Sequence, residues 1–132
     1  MTESRKRALS PNERRHVGQA GEAIAEAHLL QLPGWEILAR NVYFRAGELD
    51  IVAMDGRTLV FVEVRGRWSQ GGLRAEDSVT RLKQRKLSRA ACLWLQRHPS
   101  FQRVASRFDV VSIDLRTKQI RAHHRNAFEA VL

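Results

Sequence analysis

Apolar positions along this chain fall into two periods. From Val17 to Leu30 they recur at helical spacing, with Val17, Ala20 with Gly21, Ile24 and His28 along one face. Pro33-Gly34 closes that run. Three strand-like runs follow, Trp35 to Phe44, Glu48 to Met54 and Thr58 to Val64, each rich in β-branched or large apolar residues and divided by turn chemistry. Between the last two, Asp55-Gly56-Arg57-Thr58 carries the Gly-X centre of a type II′ hairpin. After Arg65 the pattern lapses into a loop of Gly66, Arg67, Trp68, Gly71, Gly72 and Arg74. It returns over 76–97 as the longest helical candidate, with Val79, Leu82, Ala90 and Trp94 as an apolar stripe. Arg81, Arg85 and Arg89 form a basic ridge on that helix, and His98-Pro99 ends it. Arg107 to Leu115 reads as a strand, with Gln119 to His123 as a short partner. The order is α-β-β-β-α-β-β, an α/β domain over residues 17–132, preceded by a flexible basic N-terminal arm over 1–16.

Length and composition narrow the class. A chain of 132 residues with 43% hydrophobic side chains suits one domain with a true core, not a disordered basic tail. No stretch of 18 apolar residues occurs, and the charged N-terminus has no apolar run behind it, so neither a membrane span nor a secretory signal is expected. A cytoplasmic location is the expectation. Cys92 is the single cysteine, which excludes an internal disulfide and a cysteine-based zinc site. The formal charge is +9, unevenly placed: residues 1–64 hold 8 basic and 9 acidic side chains, residues 65–132 hold 15 and 5. Nineteen of the 23 basic residues are arginine, the side chain suited to bidentate phosphate contacts. A polyanion, most often nucleic acid, is the expected partner, and a merely solvated basic surface is the plainer alternative.

The acids that matter sit in the hairpin. With Gly56 and Arg57 as the turn, paired positions sum to 113, which sets Asp50 across from Glu63. Opposed carboxylates repel unless they share a proton or a cation. Residues 63 and 65 point to one face of the strand while Val60, Val62 and Val64 point to the other, so Asp50, Glu63 and Arg65 gather together. Two readings stay open at this stage: hard oxygen ligands for Mg²⁺ or Mn²⁺, or a salt bridge at a strand end.

Gly47-Glu48-Leu49-Asp50-Ile51-Val52-Ala53 followed by Leu59-Val60-Phe61-Val62-Glu63-Val64-Arg65 resembles the bacterial YraN-like family of small proteins. The resemblance runs from about Gly18 to Phe128 and includes Gly21-Glu22, Ile37-Leu38-Ala39-Arg40-Asn41, Lys83-Gln84-Arg85-Lys86-Leu87, Arg107-Phe108-Asp109-Val110-Val111 and Asn126-Ala127-Phe128. That family is similar to the restriction-endonuclease-like, PD-(D/E)XK superfamily, with archaeal Holliday-junction resolvases as characterised analogues. The resemblance implies a mixed central sheet flanked by helices. It also implies a metal-dependent nuclease or resolvase-like activity on structured nucleic acid, DNA with branched features foremost. Asp50 matches the motif's Asp, Glu63-Val64-Arg65 its (D/E)-X-K tripeptide, and Glu22 the helical Glu of the resolvases. The resemblance thus assigns Mg²⁺ or Mn²⁺ to Asp50, Glu63, the carbonyl of Val64 and Glu22, and catalysis to Glu22, Asp50, Glu63 and Arg65. The resolvase-like analogues are dimers, so a homodimer is implied with them.

Arginine at position 65 departs from the motif lysine: it can stabilise negative charge but cannot deprotonate to act as a base. Lys83 or Lys86 is a candidate substitute for that lysine, and Gln84 approaches the site if its helix packs beside the hairpin. The expected backbone-binding surface is Arg67, Trp68, Arg74, Arg81, Lys83, Arg85, Lys86 and Arg89, with Trp68 either stacking on a splayed base or covering the core. Glu48 is a spare carboxylate near the site that reads first as a solvated strand-start residue, and Glu26 reads as a surface or ion-pair residue. Asp109 beside Arg107 reads as a structural pair and His28 as a half-buried core histidine. His123 and His124, adjacent on a strand, cannot chelate one ion together. Two further readings are a catalytically weak or inactive nucleic-acid-binding protein of the same fold, and a basic ribosome- or partner-associated protein.

Overall fold

A computed structural model describes residues 11–68 and 79–131, with side chains from residue 18 onward. Helix α1 spans Pro11–Gln31, and strands β1 Trp35–Phe44, β2 Gly47–Asp55 and β3 Thr58–Arg67 follow. Helix α2 covers Arg81–Arg97, a 3₁₀ turn Pro99–Phe101, and strands β4 Ser106–Asp114 and β5 Gln119–Phe128 complete the order. This α-β-β-β-α-β-β order and its five-stranded mixed sheet are those expected of a restriction-endonuclease-like domain. The first helix starts earlier than the sequence pattern indicates. Proline suits a first helical turn, so residues 11–16 belong to α1 and not to an arm, while 1–10 lie outside the described residues.

The sheet runs β1-β2-β3-β4-β5, antiparallel except for the parallel β3–β4 pair. A parallel pair needs a crossover, and α2 lies on the connection that supplies it. Helix α1 packs on one face through Ala25 and Leu29 against Ile51, Ala53, Val60, Val62, Val111 and Ile113. Helix α2 packs on the other through Leu87, Ala90, Ala91 and Trp94 against Leu49, Val52, Leu59, Phe61 and Val110.

Two stripes differ from the expected ones. On α1 the buried line is Gly21, Ala25 and Leu29, with Ile24 and His28 half-buried at its margin and Ala20 exposed. Small residues make the nearest approach to the sheet: a Cβ at Gly21 would meet Val64 and Ile113 at 3.8 Å. On α2, Leu82 is 59% exposed and drops out of the stripe, because at roughly 100° per residue it points well away from Leu87, Ala90 and Trp94.

The β2–β3 ladder pairs Asp55 with Thr58, Met54 with Leu59, Val52 with Phe61 and Ile51 with Val62, the register summing to 113. Gly56 has φ +59° and Arg57 is not among the positive-φ residues, as a type II′ turn requires.

Candidate functional site

Past Ile51↔Val62 the ladder gives way to a side-chain contact: the backbone N–H of Val64 donates to Asp50 Oδ2 at 2.9 Å. Strand β2 turns over at this point. Leu49 joins the core beneath α2, whereas Ile51, two residues on, joins the core beneath α1. Asp50 therefore stands in the splayed gap between strands, reachable from both helices. Across it, Glu63 is 6% exposed, and its Oε2 has no hydrogen-bond partner.

Three carboxylates from two elements meet on the α1 side. Ligand oxygens of Glu22, Glu48 and Asp50 all lie within 4.8 Å of one another. Asn41, which holds a left-handed φ of +49° in β1, hydrogen-bonds Glu22 through its side chain. A groove connects these groups, lined by Gly18, Gln19, Glu22, Asn41, Glu48 and Asp50 and continuing past Glu63 and Val64 to Arg65 and Gly66.

Electrostatics follow from this crowding. Burial, then the Asp50 charge, pushes the Glu22 carboxyl up to about 7. Burial also raises Asp50 and Glu63; the Glu48 charge adds to the rise at Asp50 and the Asp50 charge to that at Glu63, while the Val64 N–H bond lowers Asp50 and Lys83 and Arg65 pull both back down. Lys83 Nζ lies 3.8 Å and Arg65 Nε 4.0 Å from Glu63 Oε1. Desolvated acids with an orphaned oxygen suit a hard divalent cation that accepts oxygen ligands, so the donor set fits Mg²⁺ or Mn²⁺.

The expected nucleic-acid residues divide. Arg81, Arg85 and Arg89 are exposed along α2 as a ridge, with Lys86 exposed beside them. Lys83 leaves that surface and turns inward to Glu63. Gln84 is committed elsewhere, donating to the Val79 carbonyl at its own helix start. Trp68 is 49% exposed at the end of β3, Arg67 is half-buried, and Arg74 lies outside the described residues. Glu48 is exposed at the start of β2, as read, and its carboxylate also comes within the acidic cluster beside Asp50. Asn41 carried no signal beyond its place in the strand. Glu26 is an ion-pair residue, bonded by Arg40 through Nε at 2.6 Å and through Nη2.

Asp109 and Arg107 pair as read, within a longer chain. Arg107 bridges Asp109 and Asp55, and His123 donates from Nε2 to Asp109 Oδ2 (2.9 Å) while its Nδ1 shares a hydrogen bond with His28 Nε2 (3.1 Å). His28 is half-buried, as read, and also part of a polar network at the core margin.

The fold and groove define a small α/β domain whose sheet opens between two strands to expose a buried acid pair. The chain belongs to the uncharacterised protein family UPF0102, whose model matches residues 21–113 and so covers every acid of the site. It is 46% identical over 111 residues to the UPF0102 protein of Alkalilimnicola ehrlichii, covering 84% of this chain and 87% of that one. A UPF0102 protein of Xylella fastidiosa is 51% identical over 98 residues (74% and 80% covered), and that of Symbiobacterium thermophilum 47% over 100 residues (76% and 83%). No helix among the described residues is long and apolar enough to cross a membrane.

Proposed function

We propose that this protein is a divalent-metal-dependent phosphodiesterase acting on structured nucleic acid. The observation that carries the reading is Glu63: a buried carboxylate with an orphaned oxygen, facing Asp50, whose own carboxylate meets those of Glu22 and Glu48. A surface that only bound phosphate would gain nothing from acids at its centre. Asp50, Glu63 and the Val64 carbonyl would hold Mg²⁺ or Mn²⁺, with Glu22 and Glu48 holding a second ion or orienting water. The bound metal supplies Lewis acidity and lowers the pKa of water. Arg65 and Lys83 offset negative charge on the phosphate, and Asn41 fixes the Glu22 carboxyl in the groove. Arg81, Arg85 and Arg89 hold the flanking backbone.

The test is hydrolysis of branched, flapped and single-stranded DNA, and of RNA, with Mg²⁺ or Mn²⁺. Asp50→Ala and Glu63→Ala should each lower the rate by about two to three orders of magnitude. Wild type and both variants behaving alike would sink the enzyme reading. Arg65 favours a second reading, a weakly catalytic nucleic-acid-binding protein, since guanidinium cannot accept a proton. Salt-dependent binding without hydrolysis, with activity gained in Arg65→Lys, is the outcome that supports it.

A further inference from the structure

Helix α2 places an ammonium where its apolar stripe would continue. Leu87, Ala90 and Trp94 face the sheet, and residue 83, four before Leu87, falls on that same side of the helix. Its side chain is 34% exposed and reaches inward to 3.8 Å from Glu63 Oε1. The neighbouring ridge of Arg81, Arg85, Lys86 and Arg89 faces solvent. Lys83 is the cation this helix sends inward to the acid pair.

Its position is fixed from several directions. The backbone N–H of Lys83 donates to Thr80 Oγ1 at the helix cap (3.1 Å). The helix is seated on β2 at Gly47, where a Cβ would stand 2.7 Å from the Lys86 carbonyl oxygen. Even so, the ammonium stays beyond hydrogen-bond length from Glu63, and Oε2 of that carboxylate has no hydrogen-bond partner. Lys83 neutralises the pair without satisfying it.

Resting on the reading of this site as a divalent-metal phosphodiesterase, we propose that Lys83 is its tethered counter-ion. The ammonium balances Asp50 and Glu63 before a divalent cation binds, yields that place to the cation, and then holds a phosphate of the bound nucleic acid at the mouth of the groove. A lysine suits exchange of this kind. It is a compact, strongly hydrated point charge on a flexible stem, without the rigid fork by which arginine locks onto a carboxylate. The loose contact with Glu63 Oε1 lets it leave, and α2 returns it to the same mouth.

The experiment compares wild type, Lys83→Met and Lys83→Arg in Mn²⁺ titration calorimetry without nucleic acid, then in hydrolysis at saturating Mn²⁺. Removing a competing charge about 4 Å from a ligand oxygen should tighten Mn²⁺ binding about fivefold or more in Lys83→Met. Turnover at saturating Mn²⁺ should fall about tenfold or more in the same variant. Lys83→Arg keeps the charge and locks it on the carboxylate, so it should bind Mn²⁺ no more tightly than wild type, whereas a general packing effect would move both variants in the same direction. Lys83→Met binding Mn²⁺ no more tightly than wild type, or turning over at full rate, overturns the proposal and leaves the metal reading in place. Wild type that binds no Mn²⁺ overturns both.

Discussion

Glu63, Asp50 and Glu22 share a property that makes the site measurable by stability alone. Each holds its proton to higher pH in the folded protein than an ordinary carboxyl does, because burial and like charge penalise the ionised form. The folded state therefore binds more protons than the unfolded chain, and stability falls as pH rises from the usual carboxylate range through the folded values, about 7 for Glu22. His28 works in the opposite sense. Its pKa is lowered by burial and by the charges of His123 and Arg125, so its contribution is present above the ordinary histidine value and lost as pH falls. Above pH about 6.5 the acids act alone. Metal-free protein should lose thermal stability between pH about 6.5 and 8, Mn²⁺ at pH about 8 should restore it, and Asp50→Asn should flatten both effects. A melting series at several pH values with and without Mn²⁺ checks this. A midpoint that rises with pH in metal-free protein contradicts the assignment. At this scale the sequence was informative where register decided the outcome. Counting from Gly56 brings Asp50 and Glu63 together and alternation sets Glu48 on the side of Asp50, whereas Asn41 depends on a left-handed backbone that no alternation pattern encodes.

Between elements, the contact that assembles the site is α2 on the start of β2. Gly47 is glycine for a reason of space: any Cβ there meets the Lys86 carbonyl oxygen at 2.7 Å, and backbone cannot rotate away as a side chain can. Gly47→Ala should lift the first turns of α2, cost about 1–3 kcal/mol of stability, and carry Lys83 away from Glu63. Urea denaturation measures the first effect. The Mn²⁺ affinity of the folded variant measures the second, moving in the direction of Lys83→Met. Full stability in Gly47→Ala would show that α2 is not held by that contact. Strand limits such as Trp35–Phe44 were legible because glycine and proline flank them and bulky residues fill them. The helix faces were less so. The α1 face read from spacing holds Gly21 and Ile24, but its buried line runs on through Ala25 and Leu29 with His28 at the margin, and α2 makes its contact past Leu82. A lysine on the inner face of α2 reads, in a one-dimensional pattern, as another member of the basic ridge. Strand β5 continues to Phe128, beyond the His123 at which its pattern fades, because its polar residues are partners of a buried acid.

That buried acid ties the molecule together on the α1 face of the sheet. Asp109 is fully buried and accepts from Arg107 through two nitrogens, from the Asn126 backbone N–H and from His123. Arg107 reaches on to Asp55 at the tip of the hairpin, and His123 reaches back to His28 on α1. Arg107 and Arg125 both stand over Trp35 at the start of β1. One carboxylate thus links α1, β1, the hairpin tip, β4 and β5. These bonds hold the Asp109 carboxyl below the usual carboxylate range although burial alone would raise it. Its contribution is present above the ordinary carboxylate pKa and lost as pH falls through the lowered folded value, so it resists acid. Asp109→Asn keeps the shape but removes the charge that Arg107 and His123 face, and should cost about 3–5 kcal/mol. The network shares no residue with the acid cluster. The variant, folded at low temperature, should therefore bind Mn²⁺ as wild type does while unfolding at markedly lower denaturant. Equal loss of Mn²⁺ affinity would mean that the network and the acid cluster are coupled. An unchanged denaturation midpoint would mean that the network is ornamental to stability and that the core beneath the two helices holds the sheet alone.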